Sequence, residues 1–269
     1  MSPPIQWSPE PSVLAGVGLL TLLYLLGWRR ARRPGAPHPP GYGRLALYLS
    51  GMAAVLVALV SPVDSISDDL MAIHMVQHIL LLDIAPILMI LGLTKGILRP
   101  LTRRVHELER RAGPLAHPAF AVVAYVGLMW AWHVPAMYDL ALRHYAIHVG
   151  EHVCFALAGG LYWWHLLSPI RNRRRLGGLA PVTYMVVTKA GVGLLGILLA
   201  FDPTPLYAFY VHRPRYWGLS AREDQNLAGV IMALEQSVVM GIALVWLFVR
   251  MLGESDAAER RAERFQLVP

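Results

Sequence analysis

Two His-x-x-x-His pairs carry the chemistry in this chain: HMVQH, with His74 and His78, and HVGEH, with His148 and His152. Each pair opens a long apolar run. The i, i+4 spacing puts both rings of a pair on one face of a helix. Imidazoles are costly inside lipid, so four at this spacing point to a metal site. Met71, His74, Met75 and His78 recur at i, i+3, i+4 and i+7, which extends the first face with two thioethers. Imidazole with thioether suits copper, the thioether favouring Cu+, with Cu2+ also open. His133 lies in WHVPAMYD, a helix-ending context that lets its ring turn toward the same mouth. Glu235 sits in the last apolar run, where an unpaired carboxylate is costly. It is expected to be a ligand or to orient a ligating imidazole.

These residues need a membrane bundle to position them. The chain has 269 residues, 56% hydrophobic and only 15% charged, where soluble domains carry about 25% charged residues. The formal net charge of +7 comes from arginines clustered between apolar runs. Such clusters read as topology signals and not as a nucleic-acid face, so no nucleic acid is expected as a partner. The single cysteine, Cys154, excludes an internal disulfide and any Cys-x-x-Cys motif.

A spanning helix needs about 20 apolar residues. Seven candidates are present: 12–28, 44–61, 70–94, 117–133, 146–167, 180–201 and 228–251. Arginine clusters follow the first, third, fifth and seventh, including Arg29 to Arg33, Arg99 to Arg111, Arg171 to Arg175 and Arg250 to Arg264. The loop after the second, SPVDSISDD, is acidic. The positive-inside rule then places the N-terminus outside and the C-terminus in the cytoplasm. The expectation is an all-α, multi-pass protein of the inner membrane: one domain over 1–269, seven helices, lipid bilayer around it. The first span reads as a retained helix, because its N-terminal flank carries no positive charge.

On this topology His74, His78, His133, His148 and His152 fall at one outer-leaflet level, one or two turns inside the mouth. His144 and His212 fall in loops and are expected to be solvated. Trp130 and Trp132 mark the outer interface; Trp28, Trp163 and Trp164 mark the inner one. Asp83 and Lys189, both near the midplane, are expected to pair and tie spans three and six together. Glu151 is expected to cap the first turns of span five. HVGEH also matches the inverted zincin pattern His-x-x-Glu-His, which keeps an intramembrane zinc protease open as an alternative. A haem site held by paired histidines is a further option.

The segments HMVQHILLLDIAPILMILG, WHVPAMYDLALRHYAIHVGEHVCFALAGGLYWW and ALEQSVVMGIAL resemble the multi-span CtaG-type cytochrome c oxidase assembly factors. The resemblance covers about Ser61 to Leu252. It implies a non-enzymatic role in building haem–copper oxidases at their copper centres, with oxidase subunits as partners and an extracytoplasmic copper chaperone as an optional donor. By position, the family motif falls on His74, His78, His133, His148 and His152. A metal-free scaffold for oxidase subunits remains the competing reading.

Overall fold

The computed structural model describes residues 3, 5–170 and 176–266. The expected cytoplasmic arginines Arg171, Arg173, Arg174 and Arg175 lie outside the described residues, as do the side chains of Arg250, Arg261 and Arg264. All regular structure among the described residues is helical. In chain order the α-helices are α1 (Pro11–Ala31), α2 (Tyr42–Leu59), α3 (Pro62–Ser67), α4 (Met71–Ile79), α5 (Ala85–Gly92), α6 (Lys95–Leu98), α7 (Thr102–Ala112), α8 (Pro118–Trp132), α9 (Pro135–Arg143), α10 (Tyr145–Leu167), α11 (Ala180–Phe201), α12 (Ala208–Val211) and α13 (Ala221–Gln266).

Among the described residues, five helical stretches are long and apolar enough to cross a membrane: Pro11–Ala31, Tyr42–Leu59, Met71–Gly92, Ala180–Phe201 and Ala221–Gly253. A sixth arises if α7 and α8, bent by 62° at their junction, count as one. The protein is therefore a multi-pass membrane protein. The expected span at 146–167 does form a continuous 23-residue helix, α10. His148, Glu151, His152 and His165 dilute its apolar character, and it is not among the stretches that qualify on hydropathy.

The helices pack in two groups. α1 and α2 join α6 in a small cluster where Tyr24 and Tyr48 stack with centroids 3.8 Å apart. Much of α1 presents leucines such as Leu19, Leu22 and Leu23 outward, as a lipid-facing helix must. The larger core unites α4, α5, α8, α10, α11 and α13. Two glycines make this core tight. A Cβ on Gly229 would lie 2.3 Å from the Ala200 nitrogen, so α11 and α13 touch backbone to backbone. A Cβ on Gly159 would lie 1.8 Å from the Leu82 carbonyl oxygen, so α10 presses directly on the third span. At that contact the third span is not α-helical: Leu80–Ile84 forms one π turn between α4 and α5. A π turn inserts an extra residue and re-aims the side chains beyond it, a feature common at functional sites. Here it carries Asp83 into the core.

The helix directions place the histidines. α4, α10 and α13 begin, and α8 ends, at the same end of the larger core. The start of α4 is pinned there by Asp224 of α13, whose carboxylate oxygens accept from the Met71 and Ala72 backbone N–H groups at 2.8 and 3.0 Å. This satisfies two of the donors that a helix N-terminus leaves open.

Candidate metal centre

The two predicted faces meet. The His74 and His78 rings on α4 lie 4.2 Å apart by centroid, and the His148 and His152 rings on α10 lie 4.3 Å apart. Across the helices, His74 to His148 is 5.2 Å, His74 to His152 is 6.2 Å and His78 to His152 is 5.7 Å. His133, ending α8, completes the group with its ring 6.2 Å from that of His78. Two triads have ligand atoms all within 4.8 Å of one another: His74, His78 and His152, and His74, His148 and Glu151.

The polar bookkeeping is unusual. His74 is 0% exposed, yet neither ring nitrogen has a hydrogen-bond partner. The same holds for both nitrogens of His78 and for Nε2 of His148 and of His152. Glu151, 1% exposed, has both carboxylate oxygens unpartnered, with Oε1 at 3.7 Å from His78 Nε2. Buried polar groups are normally paired, and a buried carboxylate without a partner is especially costly. A cation among these donors would satisfy the carboxylate and the imidazole lone pairs together, so the residues fit a metal ion.

His133 is prepared differently. Its Nδ1 donates to the Met129 carbonyl at 2.7 Å, which leaves Nε2 as the lone-pair nitrogen. That Nε2 lies 3.5 Å from Met75 Sδ. Two donors bound to one tetrahedral ion at about 2.0–2.3 Å are separated by about 3.5 Å. Thus His133 and Met75 stand at the spacing of co-ligands. Met71, like Met75, is buried within the hydrophobic core, one helical turn before Met75 on the same helix. Glu235 lies below the cluster, lining a small cavity with Met75, His78 and Asp83.

Tyrosines pack over the centre at that end of the core. Tyr138 of α9 packs 5.4 Å from His74 and 5.6 Å from His133, and Tyr207 lies 4.2 Å from Tyr138. The Tyr207 hydroxyl donates to the His133 carbonyl at 3.0 Å, and that of Tyr210 to the Ser67 carbonyl at 2.8 Å. The aromatic 202–220 segment is therefore a fitted cover for the centre. His148 and His152 instead face an apolar groove of 1060 Å³ between α1, α2 and α10. Glu10 and Asp64 stand among its polar lining residues. Burial raises the Asp64 carboxyl above its ordinary range, partly offset by a hydrogen bond from Gln77.

Several expectations are corrected. Glu151 is not a cap: it sits in the second turn of α10 and turns into the cluster. Asp83 and Lys189 do not pair. Asp83 accepts from the Tyr125 hydroxyl at 2.7 and 2.8 Å and from Trp163 Nε1 at 2.6 Å, while Lys189 Nζ donates to Ser237 at 2.7 Å. Lys189 is partly exposed on α11, a helix that packs chiefly against α13 and α8 and not against the third span. Trp163 is accordingly fully buried and is not an interfacial anchor. His144 and His212 are exposed, as expected. Tyr138 carried no signal in the sequence beyond following the proline turn after His133.

The helices and their buried histidine–carboxylate cluster define a multi-pass membrane protein with a candidate metal centre near one end of its core. Residues 22–254 match the family of cytochrome c oxidase caa3 assembly factors (Caa3_CtaG), and the chain belongs to it. An uncharacterized protein of Mycobacterium leprae is 23% identical over 279 residues, covering 96% of this chain and 41% of its own length. Uncharacterized proteins of Mycobacterium bovis and Mycobacterium tuberculosis are each 28% identical over 242 residues, covering 84% of this chain and 36% of theirs. The chain thus spans less than half the length of these relatives. No solved structure matches it.

Proposed function

We propose that this assembly factor binds copper at the histidine centre and hands it to an oxidase subunit during construction of a copper site. His74, His78, His148 and His152 are the main ligands, His133 and Met75 a transfer pair, and Glu151 the neutralising carboxylate. Cu+ is the favoured cargo, because Met75 adds a soft donor to the imidazoles, with Cu2+ open. The observation that carries this reading is the convergence of four imidazoles, each with at least one buried nitrogen lacking a hydrogen bond, on a buried carboxylate that accepts none.

Seven spans in the inner membrane, with an outer N-terminus and cytoplasmic C-terminus, complete the proposal. α10 is the added span, its polar residues being turned into the centre. Oxidase subunits are the receiving partners, and an extracytoplasmic chaperone would be the donor. Because the tyrosines cover that end of the core, copper reaches His148 and His152 from the groove beside α1. Membership of an assembly-factor family favours a non-catalytic role for Glu151 over the zinc-protease reading of HVGEH.

The test is the copper content of detergent-purified protein. His74→Ala with His78→Ala is expected to abolish binding at the centre, and unchanged copper content overturns the assignment. A metal-free scaffold instead predicts no bound copper and oxidase co-purification that survives the histidine substitutions. A Soret band would identify haem.

A further inference from the structure

Below the histidine centre lies a separate closed space. Its volume is 10 Å³, and Met75, His78, Asp83, Met129, Met232 and Glu235 line it. That is about one water-sized sphere, enough for a single small occupant. The three methionines come from three helices: Met75 from α4, Met129 from α8 and Met232 from α13. Methionine is flexible and normally fills irregular gaps. Three of them bordering a space they leave open is the reverse of gap-filling.

The polar groups divide into two kinds. Asp83 is held by donors from Tyr125, Trp163 and Gln236 and serves as framework. Glu235 is held less completely: it hydrogen-bonds with Asp83 and its Oε2 accepts from Gln236 Nε2 at 3.0 Å, while Oε1 finds no donor. His78, 1% exposed, has no hydrogen bond at either ring nitrogen, its Nε2 facing Glu151 at 3.7 Å, and it borders this space as well as the histidine centre.

We propose that this chamber is a second, thioether-rich subsite for a soft monovalent cation of the cuprous class, reached from the histidine centre through His78. Thioethers bind Cu+ and discriminate against hard divalent ions. Asp83 and Glu235 hydrogen-bond to each other; such a pair shares one proton and carries one negative charge, which matches one monovalent ion. The exchange is balanced: the ion leaves imidazole donors and gains thioether donors, with no redox step. The inference rests on the copper reading of the histidine centre, and the following experiment separates the two.

Full-length protein in detergent is titrated with Cu+ against a competing cuprous chelator, as wild type, as Met129→Leu with Met232→Leu, and as His74→Ala with His148→Ala. The expected stoichiometries are two ions for wild type and one for the leucine variant, which keeps the upper ion. The histidine variant is expected to retain one thioether-bound ion. Selenomethionine-labelled wild-type protein, studied by copper X-ray absorption, checks the same point without mutation: two or more selenium neighbours around one copper are expected. A single ion in wild type, lost in the histidine variant and with fewer than two selenium neighbours, overturns the subsite and leaves the centre standing. Retention of both ions by the leucine variant also overturns it. No copper in wild type overturns both.

Discussion

His74 and His148 stack face to face, with ring centroids 5.2 Å apart and planes 16° apart, although 74 positions of sequence and two different helices separate them. Each carries at least one buried ring nitrogen without a partner. Two ligands of one ion are coupled, so their losses do not add. His74→Ala and His148→Ala are each expected to weaken Cu+ binding at least tenfold, about 1.4 kcal/mol. The double variant is expected to lose less than the product of the two. Chelator competition on the three variants measures this, and strictly multiplicative losses would place the two residues in separate sites.

Trp163 holds Asp83 in place from α10, and the fold depends on it more than on its neighbour. Its indole N–H donates to a buried carboxylate at 2.6 Å. Trp163→Phe keeps one aromatic ring, leaves a small cavity in place of the rest of the indole, and removes one of the donors to a buried carboxylate. A cost of about 1–3 kcal/mol is expected, seen as a lower unfolding midpoint in detergent. Trp164→Phe, on the half-buried side of the helix, is expected to change stability by less than about 0.5 kcal/mol.

The contrast between these two tryptophans shows what the sequence discloses. Periodicity reveals which residues share a helix face, and charge reveals which way a helix runs. Both histidine pairs were legible on that basis, because each opens a span and the spans run the same way. His133 was legible from its proline. What opposes a face is a tertiary fact, and periodicity is silent on it. Met71 shares the helix face of His74, but that Asp224 of a distant helix would hold its backbone N–H could not be read from spacing. Glu151 looked like a cap because its local setting allowed one; only the approach of α4 makes it a cluster member. The π turn at Leu80–Ile84 has no signature in an all-apolar run, yet it decides that Asp83 meets Trp163 and not Lys189.

Asp224 caps the start of α4 from a distant helix, so it is expected to influence copper binding without touching the ion. Its two oxygens hold the backbone N–H groups of Met71 and Ala72, one helical turn before His74. Asp224→Ala removes both acceptors, and a cap loss of about 0.5–2 kcal/mol is expected. Cu+ affinity should fall as the first turn of α4 frays, and Asp224→Asn, which keeps one acceptor, should recover part of both losses. Thermal unfolding and chelator competition on the same samples test this. Lower stability with unchanged affinity would show that the histidines hold their positions without the cap.

Gly159 sets the distance between the two histidine pairs. It lies two turns below His152 on α10 and lets that helix touch the Leu82 carbonyl, where a Cβ would come within 1.8 Å. That overlap cannot be relieved by a side-chain rotation, since the atom it meets belongs to the backbone. Gly159→Ala must therefore push α10 away from the third span, with an overpacking cost of about 1–3 kcal/mol or more. The same displacement separates His152 and His148 from His78 and His74, so Cu+ affinity should fall together with the unfolding temperature. Gly160→Ala supplies the comparison: nothing lies within 4 Å of the Cβ it would add. That variant is expected to bind copper normally and to be slightly more stable, because alanine favours the helix over glycine by about 1 kcal/mol. Equal behaviour of the two alanine variants would mean that the close approach at Leu82 does not hold the pairs together.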